Sequence, residues 1–141
     1  MEDFEKISIE LKSATEKSQR KTEEIFAKSG VDLFGYTEKE PTELFFELRE
    51  AISAASEAFS RAFTYFSSKK AEDDLYIHAS GLCADACDGA IGGFLAFCSE
   101  KLLNENENNE NKKKTFVADI QTRAKSTFAL LFALCEKISE L

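Results

Sequence analysis

Histidine is the side chain best suited to moving protons near neutral pH, and this chain has one, His78. Asp74 lies four residues before it and Asp85 seven after it. On a helix that spacing puts an acid beside the imidazole, where it would orient and charge the ring for general-base work. No nucleophile accompanies it, because Ser80 and Cys83 point to other sides of the turn. Cys83 and Cys87 are four apart, the spacing at which two thiolates on a helix chelate a soft cation such as Cu(I) or Zn(II). Phe94 and Cys98 continue that line. One pair falls short of the four ligands of structural zinc, and Cys135 is too remote for spacing to place. A carboxylate-bridged di-iron bundle needs two Glu-x-x-His motifs, and the position three before His78 is Leu75. Gly-rich phosphate loops and nucleophile elbows are missing from the sequence. These residues predict no catalytic centre, no cofactor and no metal, with the cysteines reduced and mostly buried as small apolar side chains.

The chain of 141 residues holds 26 acids against 18 bases, a formal net charge of −8. Phosphate backbones repel such a surface, so nucleic-acid binding is not expected. Hydrophobic residues make up 43%, with six Gly and one Pro, which fits one folded domain over residues 1–141 rather than a disordered or fibrous chain. The start, Met1-Glu2-Asp3-Phe4-Glu5, is acidic where a secretory or mitochondrial leader would be basic. The most apolar stretch, Ile77 to Cys98, contains Asp85 and Asp88. Each would cost about 2.5–3.5 kcal/mol at a bilayer centre. The expectation is a cytoplasmic protein with no membrane span.

Four helices are predicted to position these residues. Helix 1 runs from about Glu2 to Ser29 and stops at Gly30, followed by a connector from Gly30 to Tyr36. Thr37-Glu38-Lys39-Glu40 matches a capping box and Pro41 suits a first turn, so helix 2 starts between Thr37 and Thr42 and reaches about Ser68. Phe45, Leu48, Ile52, Ala55, Phe59, Ala62 and Phe66 form its apolar seam. Helix 3 spans about Asp73 to Leu103. A low-complexity run from Asn104 to Lys114 reads as a solvated, mobile loop. Helix 4 follows from about Thr115, with Phe116, Ile120, Ala124, Thr127, Leu131, Leu134, Ile138 and Leu141 on its inner side. Helix 1 is only weakly amphipathic, and its polar middle around Ser18 suggests a helix partly detached or set in a wetter groove. Strand signals are nearly absent. The expected fold is all-α, an antiparallel up-down-up-down four-helix bundle.

Helix 3 is unusual in carrying Gly81, Gly89, Gly92 and Gly93 between Ile77 and Cys98. An interior Gly costs a helix about 1 kcal/mol relative to Ala, so something must offset four of them. Three readings are open: close packing beneath Phe rings of helices 2 and 4, a face for a partner's backbone, or a ligand cavity. The first makes helix 3 the most buried of the four. Its one polar stripe is Asp74, His78, Gly81, Asp85, Asp88 and Gly92. Residues 31–68 carry 7 acids and 3 bases, and residues 69–103 carry 6 and 3, which concentrates the negative charge on helices 2 and 3. The functional expectation is a non-enzymatic protein–protein interaction bundle that turns this acidic face and stripe toward a basic or amphipathic partner. The alternative is a small carrier of an apolar ligand or soft metal at the Cys83, Cys87 and Cys98 face. Helix 3 or helix 1 is expected to support a homodimer.

Overall fold

The computed structural model describes residues 2–28, 41–103 and 110–141, and no strand occurs among them. In chain order the elements are α1 (Glu2–Lys28), α2 (Pro41–Ala51), α3 (Ser53–Lys69), α4 (Asp74–Ala84), a π-helical segment (Asp85–Ile91), α5 (Gly92–Leu103) and α6 (Glu110–Ser139). The chain is all-helical. The connector after Gly30, the Thr37 capping box and residues 104–109 of the polar run lie outside the described residues.

The apolar seams hold apart from Phe45 and Leu141, which are half-buried, while the Phe116 side chain lies outside what is described. Leu48, Ile52, Ala55, Phe59, Ala62 and Phe66 are buried along α2 and α3, and Ile120, Ala124, Thr127, Leu131, Leu134 and Ile138 along α6. Each fully buried Leu, Ile or Phe contributes about 1.5–3 kcal/mol. Phe4 of α1 closes one end of the core, with its ring 5.5 Å from Phe66 and 5.1 Å from Tyr76. Asp73 caps α4: its backbone is extended and its carboxylate accepts the Leu75 N–H at 2.9 Å.

Four expectations are corrected. Helix 2 is broken at Ile52 into α2 and α3. In an unbroken helix the Ala55 N–H would bond to the Ala51 carbonyl. It donates instead to Ser18 Oγ of α1, 3.0 Å away. A side chain entering the helical ladder is a recognised cause of a kink. Helix 1 is correspondingly neither detached nor wet. Thr15, Ser18 and Thr22 are buried, and the two threonine hydroxyls donate to the Leu11 and Ser18 carbonyls. Small hydroxyl residues satisfied in this way let α1 lie directly on α3 and α6.

Helix 3 contains a π-helical segment, in which the Gly92 N–H reaches back five residues to the Cys87 carbonyl. Nor is helix 3 the most buried. Among the described residues α6 buries as many side chains as α4 through α5, and α4 and α5 approach α2, α3 and α6 but not the α1 backbone. The last helix starts earlier than expected, at Glu110, so Lys112 to Lys114 belong to α6 rather than to a loop. Lys and Glu are good helix formers and extend a helix already nucleated by its apolar face. The run from Asp74 to Lys101 is long and apolar enough to cross a membrane, a property that core helices share, and 39% of its most apolar window is buried inside the protein.

Candidate functional site

The outer face of α4 is built by helical spacing. Asp74, Ile77, His78, Gly81 and Asp85 recur at three- and four-residue steps, and all are exposed. Asp88 and Gly89 extend the face into the π-helical segment and are exposed as well. The carboxylates at the two ends of α4, Asp74 and Asp85, are about 16 Å apart along the axis. Ile77 stands among them with 52% of its surface exposed. Glu72 pairs with Lys69 at 3.6 Å and Asp73 is spent on its cap. Asp74, Asp85, Asp88 and His78 make no ion pair among the described residues. The Asp74–His78 contact that spacing allows is not formed, so the stripe has no oriented base.

The glycines separate into two kinds. A Cβ added at Gly81 or Gly89 would meet nothing within 4 Å among the described residues. Close packing therefore does not explain these two. At Gly92 a Cβ would stand 3.2 Å from the Cys87 carbonyl, the acceptor of the Gly92 N–H, so this glycine relieves crowding inside the wide turn. Gly92 is half-buried and lies off the open part of the stripe. At Gly93 the neighbour is the Arg123 guanidinium, also 3.2 Å away, which stacks over Phe97 with 5.3 Å to the ring centroid. Gly93 thus makes room for a side chain that ties α5 to α6.

The sulfur-bearing face is dry. Cys83, Cys98 and Cys135 are buried and Cys87 half-buried, all as free thiols. Burial pushes the Cys83 and Cys98 thiols up to about 12 and Cys135 to about 11. Cys83 also feels the thiols of Cys87 and Cys135, which bring α4, the π-helical segment and α6 together. Metal binding needs thiolates, and this environment holds the protons on. Among the described residues no three His, Cys, Asp or Glu side chains converge where they could hold a metal ion.

One polar constellation was not foreseen. Asp3 Oδ2 accepts hydrogen bonds from the hydroxyls of Tyr65, at 2.8 Å, and Tyr76, at 3.3 Å. The Asp3 hydrogen bond, then burial, pushes the Tyr65 hydroxyl up to about 12, and burial followed by the Asp3 charge raises that of Tyr76. Asp3 and Tyr65 border an open groove of about 470 Å³ between α1 and α3, floored by Ala14, Ala58 and Ala62. Sequence spacing could not pair Asp3 with residues 62 and 73 positions away. The one available signal was two tyrosines flanking a helix turn. Both hydroxyls are held protonated and donate to one carboxylate, which ties the start of α1 to α3 and α4. Comparison with protein-family models, with curated proteins and with solved structures gives no match, so the function has to be argued from this geometry.

Proposed function

We propose that the chain is an antiparallel up-down-up-down four-helix bundle in which α2–α3 and α4–α5 are each one interrupted member, and that it serves as a non-enzymatic protein–protein interaction module. The bundle reading is supported by facing pairs: Ser18 with Ala55 and Asp3 with Tyr65 set α1 against α3 in opposite senses. Phe66 beside Tyr76 does the same for α3 and α4. The interaction surface is the outer face of α4, and its partner is basic or amphipathic.

The observation that carries this reading is the pair of open glycines among unpaired acids. Gly81 and Gly89 cost helix stability, yet no described residue occupies the space they leave. Around them stand Asp74, Asp85 and Asp88, which make no ion pair among the described residues, and an exposed Ile77. A partner helix with a basic rim and an apolar ridge would fill the space over Gly81, cover Ile77 and pair with the acids.

The test is capture of partners from cell extract on the wild-type chain and on Asp85→Lys/Asp88→Lys. Two exposed reversals leave the fold intact, within about 0.5 kcal/mol each. Binding that weakens with salt and disappears in the variant supports the proposal. Partners retained equally by both proteins, or a stoichiometric metal or apolar ligand found by native mass spectrometry, would defeat it.

A further inference from the structure

We infer that the π-helical segment is a register-setting device: it holds one residue more than an α-helix would over the same turns, and the additional residue is Gly89. The backbone is α-helical on both sides of it, with φ −63° and ψ −41° at Ala84 and φ −59° and ψ −43° at Gly92. The Asp85 N–H still reaches the Gly81 carbonyl, four residues back, whereas the Gly92 N–H reaches the Cys87 carbonyl, five back. The departure from an α-helix is therefore confined to one wide turn.

The buried residues on either side give the reason for the turn. Before it and at its start, Ala79, Leu82, Cys83 and Ala86 are buried. At its end and beyond, Ile91, Phe94 and Cys98 are buried. Each residue of an unbroken α-helix turns about 100° round the axis. Counted that way, the second set would centre about 100° round from the first, and the two could not face one core. That offset is the turn of one residue, so a wide turn holding one residue more cancels it. Both sets then lie against the same interior.

Burial within the turn singles out which residue is additional. Ala86, Ala90 and Ile91 are buried and Cys87 is half-buried, so Asp85, Asp88 and Gly89 are the residues outside the core. Removing Asp85 would turn Ala86 outward, whereas removing a residue after Cys87 leaves Ala86 and Cys87 where they are. Of Asp88 and Gly89, the glycine has no side chain to place, and a Cβ there would meet no described residue within 4 Å. Without Gly89 the Gly92 N–H and the Cys87 carbonyl stand four residues apart, the α-helical spacing, so the same donor meets the same acceptor. The device sets the two sides of the helix separately. The inner frame continues unbroken, while Gly89 is exposed on the outside and Gly92 is drawn to a half-buried position. The inference depends on no partner.

Urea denaturation of two single-residue deletions in the full chain, matched in residue type and exposure, tests it. Deletion of Gly89 is expected to give a continuous α-helix, with a midpoint within about 0.3 M of wild type or above it. Gly81 is equally exposed and equally open, but it lies in α4 before the wide turn. Its deletion either rotates Ala79 out of the core or closes the wide turn and carries Leu82 and Ala86 outward. The midpoint should then fall by at least about 1 M. Circular dichroism of the Gly89 deletion should show no loss of helix, and its Gly92 amide should stay protected in hydrogen exchange because it keeps its acceptor. A Gly89 deletion that unfolds the chain, or lowers the midpoint as far as the Gly81 deletion does, overturns the inference. So do two deletions that are equally harmless, or a Gly92 amide that exchanges freely once Gly89 is removed.

Discussion

Between α1 and α3 the chain buries Thr15, Ser18 and Thr22, and every one of their hydroxyls has a partner. On the outer face of α4 and the π-helical segment, Asp74, Asp85 and Asp88 are exposed and make no ion pair among the described residues, beside two glycines that no described residue covers. The seam breaks the pattern of apolar inside and polar outside, and the α4 face breaks the disfavour of glycine inside a helix. Along the seam, polar atoms are taken out of water only where an acceptor or donor waits, so the seam is committed to the fold. The α4 face spends helix stability on glycines whose space no described residue fills, which is the observation on which the proposed interaction surface rests.

Ser18→Ala gives the largest expected effect on this contrast. It leaves the buried Ala55 N–H without an acceptor, and the loss should be about 1–3 kcal/mol in urea denaturation at unchanged helix content. A loss below about 0.5 kcal/mol would mean that the Ile52 break survives without Ser18, and the seam would be less committed than its geometry indicates. Gly81→Ala is expected to go the other way. With open space at its Cβ, the variant should gain about 0.5–1 kcal/mol of stability, while partner capture weakens because the space over the helix is filled. A gain in stability with no change in binding would sever glycine from function.

The smallest effect concerns the Tyr65 phenol, whose ordinary value of 10 is raised to about 12. The folded protein holds this proton more tightly than the unfolded chain. Its stabilisation is therefore complete below about pH 10 and is lost as the pH climbs through about 12. Asp3→Asn should bring Tyr65 ionisation down toward its ordinary range, read by ultraviolet absorbance during an alkaline titration, and should flatten that part of the pH–stability curve. An unchanged titration would make Asp3 a bystander to Tyr65.

What the sequence displays is whatever one helix decides for itself. The Ala55–Phe59–Ala62–Phe66 seam, the Asp73 cap and the exposed Asp74–His78–Gly81–Asp85 stripe all follow from spacing within a single element. The Ile52 break does not, because its cause is a hydroxyl 37 residues away on another helix. The displacement of Gly92 from the open stripe was hidden for a different reason. Steps of three and four assume an α-helical turn, and the wider turn from Asp85 to Ile91 moves every later residue off that count. The glycines are conspicuous in the sequence, but their surroundings belong to the folded chain: no described residue lies near two of them, one relieves a carbonyl and one makes room for an arginine.

Asp3 bears on the order in which the chain assembles. Its hydrogen bond to Tyr65 closes a span of 62 residues, whereas α3 and α4 are joined by only four residues between Lys69 and Asp74. Loop-closure entropy grows with the logarithm of length, so the longer closure is costlier by about 2 kcal/mol. The α3–α4 hairpin, with Phe66 and Tyr76 already side by side, is the inexpensive nucleus. Because α1 packs on both α3 and α6, the Asp3 hydrogen bond to Tyr65 can close only once elements far apart along the chain have met.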